Sequence, residues 1–290
     1  MKPVFTACPI CGSEQREEKV RFDELVFVRC VACGLVYKSE ELADLRSRFS
    51  KAYDGKYFID GQAQYLKRWE HRVAKCRRQL LMCLEFCPEA RSVLDVGSSA
   101  GYVLAAAQSL GLQATGLDYA AYAAQLGKGR GFPTVTASLT RLPFKDASFD
   151  ILTAKHTLEH VDAPKVALSE IERVLKPGGV AFIIVPDAAY FRLHVGKRSG
   201  RYFHPARLGW QHHVYYDTST LRRGLEQAPL KVVSDDKAML RRRLAKGVNA
   251  LWEYARVAAL KVWTTFSRLT HLRREIQLIA VKKLRAASRA

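Results

Sequence analysis

Four cysteines stand in two pairs, Cys8-Pro9-Ile10-Cys11-Gly12 and Cys30-Val31-Ala32-Cys33-Gly34, with 18 residues between them. Thiolates at C-x-x-C spacing converge on one tetrahedral metal ion, and the glycine after each pair permits the turn that aims backbone N–H groups at sulfur. With Cys8, Cys11, Cys30 and Cys33 filling every position, a bound Zn2+ is expected to be structural rather than catalytic. The surrounding residues 25–37 would be too small a core to fold without such a staple. A second pattern lies at Asp95-Val96-Gly97-Ser98-Ser99-Ala100-Gly101, where an apolar run ends in an acid and a small-residue turn. A helical stretch rich in Ala and Leu follows, then a second strand pattern that ends in Asp118. This order places backbone N–H groups at a helix N-terminus beside a ligand, and an acid about 20 residues on can accept ribose hydroxyls.

Spacing decides between ligands. A dinucleotide site needs G-x-G-x-x-G to bring a pyrophosphate onto the helix, whereas here Asp95 precedes Gly97 by two residues and Gly101 completes G-x-x-x-G. A carboxylate there repels a pyrophosphate and suits the cationic amino-acid end of S-adenosylmethionine (SAM). At these residues the chain resembles the class I SAM-dependent methyltransferases, with Ser99 where that family usually carries its middle glycine. The resemblance continues at 138–161, where Leu142-Pro143-Phe144, Asp146, Ser148-Phe149-Asp150 and His156-x-Leu158-Glu159-His160 match the branch acting mainly on small molecules and lipids. Lys176-Pro177-Gly178-Gly179 adds a third matching turn. The resemblance implies SAM binding by Asp95, Gly97, Ser99, Gly101, Asp118, Tyr119, Ser138, Leu139 and His156, with Ser138 at the family's adenine-binding acid and Leu139 flanking the adenine ring.

His156 invites two readings, a base near the sulfonium and the acceptor, or a hydrogen-bonding residue that fixes its loop; His160 reads as structural. His156 to His160 also fits the H-x-x-E-H motif of zinc proteases, which requires one continuous helix. Here the stretch follows a strand pattern and precedes Pro164, so that reading is set aside. Beyond Pro186 the sequence is rich in Arg, His and aromatics, as expected of a substrate-facing loop at the carboxyl ends of strands. Related sequences carry H-x-Y-Y/F-x-T-x-x-L there, which makes His213, Tyr215 and Tyr216 candidate substrate contacts and His213 a second candidate base. The alternative is that these aromatics seal the sheet. Tyr53 and Tyr57, around Gly55, suggest a segment closing over a ligand, or plain packing between helices.

The elements needed to position these groups define an α/β fold: a Rossmann-like, seven-stranded, mostly parallel sheet with helices on both faces. Three regions are expected: a zinc ribbon over 1–37, a helical linker or lid over 38–90, and a SAM-dependent methyltransferase domain over 91–290. Leu230–Ser234 and 276–281 read as the last two strands, and 237–274 as a basic helical insertion between them. Cys76, Cys83 and Cys87 share one helical face and read as core.

Charge is uneven. Of a net +19, residues 188–290 carry 22 Lys/Arg against 6 Asp/Glu, which implies an anionic partner or a solubilising face. Residues 239–274 hold nine Lys/Arg and the single acid Glu253, interleaved with an apolar helical stripe that includes Trp252 and Trp263. Such a stretch suits an anionic membrane surface, packing on its own domain or a dimer partner, or, less well, nucleic acid. No apolar run of about 18 residues spans a membrane, and no secretory h-region opens the chain. With the cysteine usage, these features point to a cytoplasmic protein, peripheral at the inner membrane face if 237–274 docks there.

The expected activity is SAM-dependent methyl transfer, at oxygen or carbon, to a small-molecule, sugar or lipid-linked acceptor. No [DN]-P-P-[YFW] follows the fourth strand pattern, where amino-group methylases of nucleic acids and proteins often carry it, and no Pro-Cys nucleophile for pyrimidine C5 chemistry is present, which favours small or lipid-linked acceptors. Similar zinc-ribbon-led methyltransferases act on sugars. Two other readings stay open: a basic zinc-ribbon protein that binds or modifies nucleic acid, and a degenerate SAM-binding scaffold.

Overall fold

The computed structural model describes residues 2–22, 25–41, 68–188, 212–235 and 275–284 of the chain. Tyr53, Tyr57 and the expected insertion 237–274 lie outside the described residues.

The N-terminal region is a small antiparallel sheet of β1 (Lys2–Pro3), β2 (Arg16–Phe22), β3 (Leu25–Cys30) and β4 (Val36–Glu41) in the order β1-β4-β3-β2. Strand β4 extends through Glu41, so residues 38–41, expected in the linker, run within the ribbon sheet. Helix α1 (Trp69–Leu84) follows and buries Cys76, Leu80 and Cys83 against the large sheet. Cys87, past the end of that helix, is half-buried beside the same cluster.

The large sheet is assembled by alternation. In chain order come β5 (Ser92–Val96), α2 (Tyr102–Gln108), β6 (Gln113–Asp118), α3 (Ala121–Lys128), β7 (Thr134–Thr136), β8 (Phe149–Lys155), α4 (Pro164–Val174) and β9 (Leu175–Pro186). After them lie a two-residue strand β10 (Val214–Tyr215), α5 (Thr218–Gln227), β11 (Leu230–Asp235) and β12 (Glu275–Lys282). The seven-stranded order is β11-β12-β9-β8-β5-β6-β7, with β12 antiparallel to both its neighbours and the remaining pairs parallel. Its central strands are apolar on both faces, as a sheet covered by helices on two sides requires: Ile151, Leu152, Ala154 and Val180 to Val185 are buried. Helix α5 starts at a reciprocal cap, in which Asp217 Oδ1 accepts the Thr220 N–H and the Thr220 hydroxyl accepts the Asp217 N–H.

The sequence pattern predicts a free turn at Lys176-Pro177-Gly178-Gly179. In the structure β9 begins at Leu175, directly after α4, and the turn is its first, irregular segment. A Cβ at Gly179 would lie 2.8 Å from the Lys176 carbonyl and 3.1 Å from that of Asp150, so only glycine lets the strand begin there.

The ribbon is joined to the large domain in two ways. Strand β10, from the C-terminal part of the chain, pairs with β4, Val214 opposite Tyr37 and Tyr215 opposite Val36. The apolar residues of the ribbon, Phe5, Ile10, Val28, Leu35 and Tyr37, belong to the same core as Leu168, Ile171 and Leu221 on one face of the large sheet. Ile10, between the first two cysteines, docks where α5 carries Gly224; a Cβ there would meet Leu168 at 3.0 Å and Ile10 at 3.2 Å.

Candidate functional site

The carboxyl ends of β5, β6 and β8 build the site. Asp95 in β5 is 3% exposed and accepts the Thr153 hydroxyl at 2.5 Å. Burial pushes its carboxyl up to about 6, which Thr153 and Lys155 only partly oppose. Beyond it the chain turns through three left-handed residues: Gly97 (φ 76), Ser99 (φ 45) and Gly101 (φ 90). Gly97 has no room for a side chain, because a Cβ would run into the Thr157 hydroxyl. A Cβ at Gly101 would lie 2.8 Å from the Phe132 ring. Ser99 accepts a conformation that usually calls for glycine, at a cost of about 1 kcal/mol.

Backbone donors fasten this turn to β6. Gly97 and Ser98 donate to the Leu117 carbonyl at 2.8 and 3.0 Å. Asp118 Oδ2 accepts the Ser99 N–H at 2.9 Å, and its Oδ1 accepts the Ala120 N–H at 3.0 Å. Asp118 therefore lies against the turn, and the carboxylate lone pairs that these N–H groups leave can accept ligand hydroxyls. Tyr119 next to it is 82% exposed, a flat apolar surface beside that acid. Ser138 is engaged locally, its hydroxyl 2.8 Å from that of Thr140, and Leu139 is buried in the core.

His156 sits one residue past β8 with φ 54, a strained position for a bulky side chain. Its Nδ1 is 3.6 Å from Glu159 and its Nε2 is 3.2 Å from Glu275. The carboxylates of Glu159 and Glu275 raise this imidazole to about 9, so at neutral pH it is an imidazolium. In that state it donates hydrogen bonds and neutralises anions; it has no lone pair with which to act as a base. Sequence reasoning missed Glu275, which is the first residue of β12 and meets His156 only because β12 pairs with β9. It also missed Thr153 and Thr157, whose hydroxyls reach Asp95 and the Val96 carbonyl.

The other candidate substrate contacts lie elsewhere. His213 is a backbone joint: its N–H donates to the Glu159 carbonyl at 2.8 Å, and its own carbonyl accepts the Lys38 N–H at 2.9 Å. Tyr215 packs edge-on against Phe27 with ring centroids 5.6 Å apart, and Tyr216 is wholly buried. The two tyrosines fill the seam between ribbon and large sheet, and Tyr216 presents no surface to a substrate. Burial raises both phenols, Tyr215 to the extent that it stays protonated throughout the physiological range.

The matched motif residues farther from the turn are structural fasteners. Arg173 donates to the Leu142 and Phe144 carbonyls at 3.0 and 2.7 Å and pairs with Glu170 and Asp146, which pins the Leu142–Asp146 loop to α4. Asp150 accepts the N–H groups of Arg91 and Ser92 and pairs with Lys176 at 2.9 Å.

The four ribbon cysteines meet a metal's requirements. Their sulfur atoms lie within 4.8 Å of one another, with Cys8–Cys33 at 3.6 Å and Cys11–Cys30 at 3.4 Å. Zinc–sulfur bonds of about 2.3 Å in a tetrahedron separate sulfurs by about 3.8 Å. Gly12 and Gly34 take φ 79 and 83, and their N–H groups close turns onto the carbonyls of Cys8 and Cys30. Cys8, Cys11, Cys30 and Cys33 would hold a Zn2+ ion with no open position.

Residues 94–183 match the family described as methyltransferase domain. A demethylmenaquinone methyltransferase of Renibacterium salmoninarum is 31% identical over 144 residues, which cover 49% of this chain and 57% of that protein. An uncharacterized methyltransferase of Mycobacterium sp. (strain KMS) is 39% identical over 105 residues, 34% of this chain and 40% of that one. The alignments thus span less than two thirds of either relative. Among solved structures, the Burkholderia thailandensis 1,6-didemethyltoxoflavin-N1-methyltransferase, bound to 1,6-didemethyltoxoflavin and S-adenosylhomocysteine, has the same fold. It aligns with a TM-score of 0.52 over 92% of this chain and 99% of that one, at 17% identity. The glycine turn, the sheet order and the family match point the same way: residues 94–183 match a methyltransferase domain, and the large sheet has the fold seen in the toxoflavin methyltransferase.

Proposed function

We propose that the protein transfers the methyl group of SAM to a small-molecule acceptor. The observation that carries this reading is the Asp95–Gly101 turn, closed onto Asp118 at the carboxyl ends of parallel strands. Bound SAM supplies a methyl group on a sulfonium, which an acceptor displaces in line.

The chain's own residues would hold and orient the reactants, and such positioning supplies much of the rate in this chemistry. Asp95, once ionised, attracts the cofactor's ammonium, and Asp118 accepts its ribose hydroxyls. Gly97 and Gly101 let the backbone come close, and Tyr119 offers a flat face. His156, held as an imidazolium between Glu159 and Glu275, orients an anionic or hydrogen-bond-accepting substrate group at the tip of β8. A hydroxyl acceptor would then give its proton to another group or to water.

A small-molecule acceptor is supported by the likeness to the demethylmenaquinone methyltransferase. A sugar or lipid-linked acceptor rests on the resemblance to zinc-ribbon-led methyltransferases and to the branch acting on small molecules and lipids, and a site at an anionic membrane surface on the sequence of 237–274. Incubating the protein with methyl-labelled SAM and separated cell fractions tests the assignment. Label in the small-molecule, glycan or lipid fraction supports it, and label in nucleic acid or protein only would overturn it.

A further inference from the structure

The turn that follows β8 carries a second group of metal-competent side chains, remote in sequence from the cysteines. Glu159 and His160 belong to a single 3-10 turn, Leu158–His160, and His212 stands two residues before β10. The hydrogen bond from the His213 N–H to the Glu159 carbonyl, 2.8 Å, locks the two segments side by side. As a result one ligand atom from each of Glu159, His160 and His212 lies within 4.8 Å of the other two. The imidazoles of His160 and His212 meet edge to face with centroids 4.6 Å apart.

The carboxylate is the telling member. Glu159 is 1% exposed, and neither of its oxygens has a hydrogen-bond partner among the described residues. A buried carboxylate without hydrogen bonds costs several kcal/mol unless a cation compensates it. Its nearest imidazole nitrogens stand at 3.6 Å (His156) and 3.9 Å (His160), beyond hydrogen-bond reach, and the His156 charge, which Glu159 shares with Glu275 at 3.2 Å, compensates it only in part. Metal–ligand bonds of about 2.0–2.2 Å place donor atoms about 3–3.5 Å apart, so modest side-chain rotation closes the set.

We propose that Glu159, His160 and His212 form a second divalent-metal site, at the seam between the ribbon and the methyltransferase domain. Two imidazoles and a carboxylate are a Zn2+ or Fe2+ donor set, and three protein ligands leave a position for water or an acceptor oxygen. The side chain of His160, 28% exposed, gives the ion a way in. The groups facing the cluster are His156, the wholly buried Lys38 on β4, and Tyr215, whose ring lies 5.6 Å from that of His212. The charges of His156 and Lys38 oppose a cation and make this the weaker of the two metal sites. The inference does not depend on the methyl-transfer reading.

Cobalt substitution in the full, metal-stripped chain tests it. A tetrathiolate site gives intense thiolate-to-metal charge transfer, whereas a nitrogen–oxygen site gives only weak d–d absorption. The wild type should take up about two equivalents of Co2+, the first with charge transfer and the second adding d–d intensity alone. Glu159→Gln and His212→Ala should lose the second equivalent and keep the thiolate bands; Cys30→Ser should do the reverse. If the buried changes unfold the chain, as circular dichroism would show, His160→Ala at the rim supplies the same comparison. Saturation of the wild type at one equivalent with a pure tetrathiolate spectrum would overturn the proposal, as would a second equivalent that survives Glu159→Gln or His160→Ala in folded protein.

Discussion

Lowering the pH from 7 to 5 should weaken SAM binding about tenfold, because the acid proposed to meet the cofactor's ammonium loses its charge in that interval. Asp95 is buried, and its carboxyl is pushed up to about 6, with the nearby Asp118 reinforcing the shift and Thr153 and Lys155 opposing it. The ionised fraction then falls from about ten in eleven at pH 7 to about one in eleven at pH 5. If only the carboxylate form binds, that ratio is worth about 1.4 kcal/mol. The same shift has a cost in stability. An acid whose folded value lies above its unfolded 3.8 favours the folded state only while protonated, so stability drops as pH rises from about 4 to about 6. Asp95→Asn removes that penalty and keeps an acceptor for the Thr153 hydroxyl. It should therefore raise the stability of the ligand-free protein at pH 7 by up to about 3 kcal/mol while weakening SAM binding. Titration calorimetry from pH 5 to 8 and urea unfolding measure the two effects. A flat affinity profile, or an Asp95→Asn protein that binds SAM like the wild type, would refute the reasoning.

Asp150 behaves in the opposite sense. Against burial, Lys176, Ser92 and the Arg91 N–H hold it down to about 2, so its contribution is present above about pH 4 and disappears as pH falls through about 2. Asp150→Asn should cost about 2 kcal/mol at pH 7 by urea unfolding, with the difference shrinking on acidification. Arg173→Lys should fail to rescue the loss of stability in Arg173→Ala, about 3 kcal/mol, because a point charge cannot replace a fork that serves two carbonyls and two carboxylates. Modification of the ribbon thiols should release about one equivalent of zinc from reductively purified protein and loosen β10, which pairs with the ribbon. Substantially less zinc, or unchanged amide exchange at Val214, would contradict this.

The parallel sheet was legible because each strand announces itself locally, as a short apolar run ended by a turn residue. The glycine turn and Asp118 were legible for the same reason, their spacing being set within one strand–helix–strand unit. The four cysteines carry their chemistry in their identity. What the sequence hid depends on pairing between distant segments. Strand β10 has two residues and no periodicity, and its partner β4 lies more than 170 residues earlier. Tyr215 and Tyr216 therefore read as cleft-facing, although they pack in the ribbon seam. The charge on His156 was hidden likewise, since Glu275 stands 119 residues away in sequence. Ser99 shows the limit of matching by residue type: the turn takes a left-handed serine and keeps its shape.

The most direct test of the account is calorimetric titration of the full chain with SAM, wild type beside Asp118→Ala. The account predicts one SAM per chain with a dissociation constant in the micromolar range or tighter, weakened at least about tenfold when the acid proposed to face the ribose is removed. Absence of binding to the folded wild type, or equal affinity in the two proteins, would contradict it.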